Sequence, residues 1–180
     1  MTLTIVKFSR ALRSAVLGAG LLFVGTTALS AQPVQAAQEI NVQDGYAVHG
    51  YDPVAYFTEG KPVEGSESFT ATHDGASYKF ATAEHREMFI ADPAKYAPQY
   101  GGFCAFGVAM AGRKFDGDPT QWTVKDGKLY LNVNATVQER FRENVPGYIR
   151  GADNNWPIIA EIPEATLSSN PPEGLTQGAQ

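Results

Sequence analysis

Cys104 is the single thiol in a chain of 180 residues, and the residues before it suit chemistry at sulfur. Gly101 and Gly102 let backbone approach closely, so N–H groups can point into a site. A helix over residues 103–111 would set the cysteine in its first turn, where the helix dipole favours a thiolate. A sulfur so held can act as a nucleophile, cycle through a sulfenic acid or bind a soft metal. One thiol makes no intrachain disulfide, so a redox cycle needs an external thiol partner. The plain alternative is a small hydrophobe packed between Phe103 and Phe106.

Two of the three histidines can join that sulfur. His85 shares a predicted helix face with Met88 and Phe89, which suits either a satisfied core imidazole or a metal ligand. His49 precedes Gly50-Tyr51-Asp52-Pro53 and is a candidate ligand or acid/base group. His73 lies beside the Asp74-Gly75 turn and reads as solvated. The candidate metal set is therefore Cys104, His49 and His85, with Met110 either a thioether ligand to Cu(I) or a core residue. Binding of a soft metal by Cys104 with a histidine is the leading reading, ahead of thiol redox chemistry, and copper is the first metal that such soft, low-coordinate donors suit. Asp52 reads as a helix N-cap. Tyr51, Tyr56, Tyr78, Tyr96 and Tyr100 read as packing. Phe103, Phe106, Trp122 and Trp156 can line an apolar pocket, which leaves a third function class: a non-enzymatic module for an apolar ligand or a protein. No phosphate-binding Gly loop, His-Glu-x-x-His, Gly-x-Ser-x-Gly or Cys-x-x-Cys is present, so nucleotide-enzyme and hydrolase readings have no residues to rest on.

The elements that must position these residues follow from local signals. Residues 38–48 read as an extended lead-in. Asp52-Pro53 opens a short helix that Gly60 ends. Residues 61–68 read as loop. Phe69–Thr72 and Tyr78–Phe80 are predicted strands joined at Asp74-Gly75, and Trp122–Val124 and Lys128–Val133 are joined at Asp126-Gly127. Thr82 caps a helix over 83–91, Asp92-Pro93 restarts a short turn, and Asn134 caps a helix over 135–144 that Pro146 stops. Residues 147–159 return to the domain through Tyr148, Ile149 and Trp156. These elements predict an α+β fold, a small mixed or antiparallel sheet with two hairpins packed by short helices.

The ends of the chain read differently. Lys7, Arg10 and Arg13 precede an uncharged apolar run of about 15 residues, shorter than the roughly 20 of a spanning helix. Val34-Gln35-Ala36 then suits a signal peptidase, which predicts a signal peptide over 1–36 and a periplasmic or secreted product without a membrane span. Cleavage would remove three positive charges and shift the net charge from −5 to −8. That acidity argues against nucleic-acid partners, whose affinity rests on neutralised phosphates. The domain is predicted over 37–159, and a Pro-, Ser- and Gly-rich disordered tail over 160–180.

Several segments together resemble the YHS domain family. They are Gly50-Tyr51-Asp52-Pro53-Val54-Ala55-Tyr56-Phe57, Tyr78-Lys79-Phe80 and Phe89-Ile90-Ala91-Asp92-Pro93-Ala94-Lys95-Tyr96. The run Pro98-Gln99-Tyr100-Gly101-Gly102-Phe103-Cys104-Ala105, with Asp126-Gly127-Lys128-Leu129-Tyr130-Leu131-Asn132, is similar to an exported bacterial branch of that family. Some members of that branch carry selenocysteine at the place of Cys104. The resemblance covers residues 45–158 and implies a small treble-clef-like module linked to copper or heavy-metal handling. The family's metal-ligand cysteines correspond here to Ala55, Ala81 and His85, so a closed Cys-rich zinc site is excluded. The resemblance leaves a metal ion or a thiol protein as partner, and the oligomeric state open.

Overall fold

Three Asp-Gly pairs each turn the chain back on itself. In all three the Asp and the Gly both have positive φ (Asp44 51° and Gly45 84°, Asp74 48° and Gly75 78°, Asp126 52° and Gly127 73°), the pattern of a tight type I′ hairpin. The computed structural model describes residues 39–169. Within them β1 (Val42–Gln43) pairs with β2 (Tyr46–Ala47), β3 (Ser66–His73) with β4 (Ala76–Phe80), and β5 (Asp118–Lys125) with β6 (Lys128–Asn132), all antiparallel. These are three separate two-stranded sheets, where the sequence suggested one small sheet with two hairpins. The hairpin at Asp44-Gly45 went unread because its strands are two residues each, too short to show alternation.

Seven helices complete the α+β fold among the described residues: α1 (Ala55–Thr58), α2 (Ala83–Ala91), α3 (Pro93–Tyr96), α4 (Ala105–Ala111), α5 (Ala135–Glu143), α6 (Val145–Ile159) and α7 (Glu164–Ser169). Two of the predicted caps, Thr82 and Asn134, are present. Thr82 Oγ1 accepts from His85 N–H at 3.1 Å, and Asn134 Oδ1 accepts from Val137 N–H at 2.9 Å. Pro146 acts differently from the expectation. It sits in the first turn of α6, where a missing N–H costs nothing, and so begins a helix rather than only ending one.

Strand β6 divides the core. Leu129 and Leu131 face a cluster with Val54, Tyr56, Tyr78, Phe80 and Phe89, while Tyr130 faces one with Val108, Phe141, Ala152, Ile159 and Leu167. Alternate side chains of a strand point to opposite faces, so one strand serves both clusters. Met110 packs against the second cluster. Helix α4 lies close on α6, where Gly151 leaves room for Ala109. Asn155 Nδ2 donates to the carbonyls of Val108 (2.8 Å) and Ala109 (3.2 Å).

The expectation of a disordered tail from Ala160 is corrected as far as Ser169. Leu167 is buried in the second cluster, a burial worth roughly 1.5–3 kcal/mol. Lys114 Nζ, fully buried, donates to the carbonyls of Ala160 (2.9 Å) and Ile162 (2.8 Å) and to Glu39 Oε2 (2.8 Å). Residues near both ends are thus held by one ammonium. The predicted signal peptide and residues 170–180 lie outside the described residues. No helix among the described residues is long and apolar enough to cross a membrane.

Candidate functional site

Cys104 is set by three backbone connections. Its N–H donates to the carbonyl of Phe115 at 2.8 Å, its carbonyl accepts from Val108 N–H at 3.0 Å, and it pairs with Leu131 in an isolated parallel bridge. The residue is therefore the N-cap of α4, and its own sulfur accepts from Gly107 N–H at 3.4 Å. Only 1 % of the residue is exposed to solvent.

The sulfur forms part of an apolar pocket of about 260 Å³ lined by Cys104, Phe106, Gly107, Phe115, Val133 and Val137. Phe115 and Val133 are exposed at its rim. Gly107 makes room for Phe115: a Cβ at this glycine would stand 2.5 Å from the ring. No polar surface faces the pocket. Beside the sulfur stands the carboxamide of Asn132, a residue with 0 % exposure at the end of β6. The thiol donates to Asn132 Oδ1 at 3.8 Å, and Asn132 Nδ2 has no hydrogen-bond partner. Thr123 Oγ1 is the other buried side-chain atom without a partner among the described residues.

Burial pushes the Cys104 thiol above its ordinary value, because a charged sulfur loses its hydration there. Backbone hydrogen bonds from Gly107, Val133 and Phe106 pull it part of the way back. The expected low-pKa thiolate is thus corrected: desolvation outweighs the N–H donors. At neutral pH the sulfur is a thiol, and its reactive form is a minor one.

The histidines have other partners. His85 is buried on α2, with Nδ1 2.6 Å from Asp52 Oδ2 and Nε2 3.1 Å from Thr58 Oγ1. Both ring nitrogens are engaged, which is the satisfied core histidine of the two readings. Asp52 also accepts from the N–H groups of Val54 (2.8 Å), Ala55 (3.3 Å) and Ala81 (2.8 Å); the N-cap of α1 is Val54 and not Asp52 as expected, and Asp52 instead fastens the turn before that helix to the end of β4. Val48, His49 and Gly50 form a left-handed turn, at φ of 53°, 51° and 77°. Left-handed φ in a β-branched residue such as Val48 costs on the order of 1–3 kcal/mol. The turn presents His49 Nε2 to Asp116 Oδ1 at 2.7 Å, and Asn41 Nδ2 donates to the same oxygen at 2.7 Å. His73 stands 3.4 Å from Asp74. Among the described residues no group of three or more His, Cys, Asp or Glu side chains is arranged to hold a metal ion.

Comparison with models of known families, with curated proteins and with solved structures finds no match.

Asn132, Phe115 and Asp116 were missed by sequence reasoning. Asn132 ends a β run and looks like an ordinary turn residue. Phe115 and Asp116 lie in a segment with no periodicity. What brings Phe115 to the sulfur is a single backbone hydrogen bond across residues with no local signal for it.

Proposed function

We propose that this chain is an exported YHS-like module that does thiol-based redox chemistry at Cys104, with an external thiol as its reducing partner. The observation that carries this reading is the sulfur's dual setting. It fronts an apolar pocket, and it also meets Gly107 N–H and the Asn132 carboxamide. An inert core cysteine needs neither a pocket nor polar neighbours. The few thiolates present are intrinsically more nucleophilic, because nucleophilicity rises with pKa. The test exposes the mature protein to a panel of peroxides and traps sulfenic acid with dimedone, read by mass spectrometry at Cys104. The expected result is an adduct at Cys104 that a small thiol erases when added before the trap. An unmodified Cys104 under every oxidant would remove the reading.

A second reading has its own support. The wholly apolar pocket surface and the neutral sulfur also suit a non-enzymatic site for a small apolar ligand. An apolar cavity of about 150 Å³ holds benzene, so this pocket has room for a bicyclic aromatic. Naphthalene binding that persists in Cys104→Ala would favour it. A soft-metal site ranks below both. Copper could take the Cys104 sulfur, but His85 has both nitrogens occupied and His49 is held by Asp116. Stoichiometric copper binding, lost in Cys104→Ser, would restore it.

A further inference from the structure

A second cavity, of about 340 Å³, shares no lining residue with the pocket at Cys104. Three stretches of chain enclose it: the Asp74 turn between β3 and β4, residues 94–100, and Asp153 with Trp156 on α6. We infer that this cavity binds a small organic ammonium ion, with the charge held by Asp153 and Asp74 and the carbon groups by the rings of Tyr100 and Trp156. The site is independent of the thiol chemistry proposed at Cys104.

The charge in the cavity is unbalanced. Asp74 and Asp153 line it, and no lysine or arginine does. Asp153 accepts from the Tyr100 hydroxyl at 2.9 Å, and among the described residues no lysine or arginine pairs with it. Asp74 stands 3.4 Å from the His73 imidazole. Lys114 Nζ lies 5.3 Å from the centre of the Trp156 ring, but it is fully buried and Glu39 matches its charge. The field of the two carboxylates reaches their neighbours. Adding to the effect of burial, Asp153 holds the Tyr100 and Tyr130 hydroxyls protonated to higher pH, and Asp74 does the same for Tyr78.

The aromatic rings decide which cation fits. Tyr100 and Trp156 stand with ring centres 5.9 Å apart at an angle of 62°, a corner rather than a stack. Tyr100 takes this place through a left-handed backbone, φ 54°, which a bulky residue rarely adopts. The faces of such rings attract a cation, and quaternary ammonium groups are the ligands that aromatic sites hold in this way. A bare metal ion is served less well, because among the described residues no three ligating side chains converge. The volume of about 340 Å³ falls in the range of about 300–1,000 Å³ typical of ligand sites. It exceeds the roughly 150 Å³ that hold benzene, so a phenyl ring and an ammonium group fit together. An acidic surface also concentrates cations near the cavity.

The experiment titrates benzyltrimethylammonium into the isotope-labelled mature protein and follows the indole N–H signals by NMR. The chain has two tryptophans, and Trp156 lines the cavity while Trp122 does not. The expected result is a saturable shift of the Trp156 signal with the Trp122 signal still, Trp156→Phe serving to assign them. Tetramethylammonium, which lacks the ring, should bind more weakly, and phenylacetate, which carries the opposite charge, should not bind. Asp153→Asn keeps an oxygen for the Tyr100 hydroxyl and is expected to weaken binding about tenfold, which is about 1.4 kcal/mol. Ala94→Trp, at an exposed lining position, fills the cavity and should abolish binding. Equal affinity for phenylacetate and the ammonium ion, or full affinity in Asp153→Asn, overturns the choice of a cation. No saturable shift at Trp156, or binding that survives Ala94→Trp, overturns the site. Either failure leaves the redox reading at Cys104 standing.

Discussion

Asp52 Oδ2 and His85 Nδ1 lie 2.6 Å apart, joining the turn before α1 to α2 through a carboxylate with no solvent exposure. Asp52→Ala leaves three N–H groups and a buried imidazole without their acceptor. The expected loss is about 3–5 kcal/mol, as for breaking a buried pair by removing one partner. Asp52→Asn keeps one oxygen for the turn before α1 and turns an NH2 group toward the other donors, so it costs less, about 1–3 kcal/mol. Urea unfolding followed by tryptophan fluorescence checks both. Equal stability of wild type and Asp52→Ala would contradict the structural role given to this pair.

Alkylation of Cys104 is expected to be slow at neutral pH. Burial raises its pKa, so the folded thiol holds its proton to higher pH than a free cysteine near 8.5. The alkylation rate therefore climbs with pH through and beyond about 8.5 and does not level off there. Small neutral maleimides should outpace iodoacetate, whose charge the apolar pocket excludes. A plateau below pH 8 in the folded protein would show that the N–H donors win over desolvation.

Lys114→Ala is expected to loosen both ends of the domain together. It removes the common donor to Glu39, Ala160 and Ile162, at about 1.5–3 kcal/mol for a hydrogen-bonded charge. Truncation after Ile159 removes two of those carbonyls and the buried Leu167, and should lower the melting temperature by roughly 5–15 °C. Limited proteolysis should then cut near residue 160 in Lys114→Ala and not in the wild type. An unchanged melting temperature on truncation would mean that α7 adds nothing to the domain.

Alkaline unfolding should begin above pH 10. Burial raises Tyr78 and Tyr130 to about 12, and raises Tyr56 and Tyr100 further, with nearby carboxylates adding to the effect. The folded state then binds more protons than the unfolded state, so stability is full below the free tyrosine value of about 10 and falls as pH rises past it. Denaturant midpoints between pH 8 and 12 check the slope. Tyr100→Phe, which removes a hydroxyl donating to Asp153 at 2.9 Å, should flatten it.

Local signals carried much of the fold. The Asp74-Gly75 and Asp126-Gly127 turns, the caps at Thr82 and Asn134 and the buried helix after Cys104 all fall where short-range chemistry sets them. Each depends on a few adjacent residues whose φ or hydrogen bonds are fixed on the spot. Residues 160–169 were misread because composition alone is no guide to a segment held by one distant ammonium. Lys114 itself looks like a surface residue between Arg113 and Phe115.

The sequence by itself determined that Cys104 is the one thiol, that the elements around it are short helices and hairpins, and that no second cysteine can resolve it. Only the tertiary structure decided what that sulfur meets. Asn132 is 28 residues away along the chain, and Phe115 reaches Cys104 through a backbone hydrogen bond that no pattern announces. Burial, which sets the sulfur's pKa, is a property of all the surrounding elements at once. A pocket is the space that packed elements leave, and no residue encodes it alone.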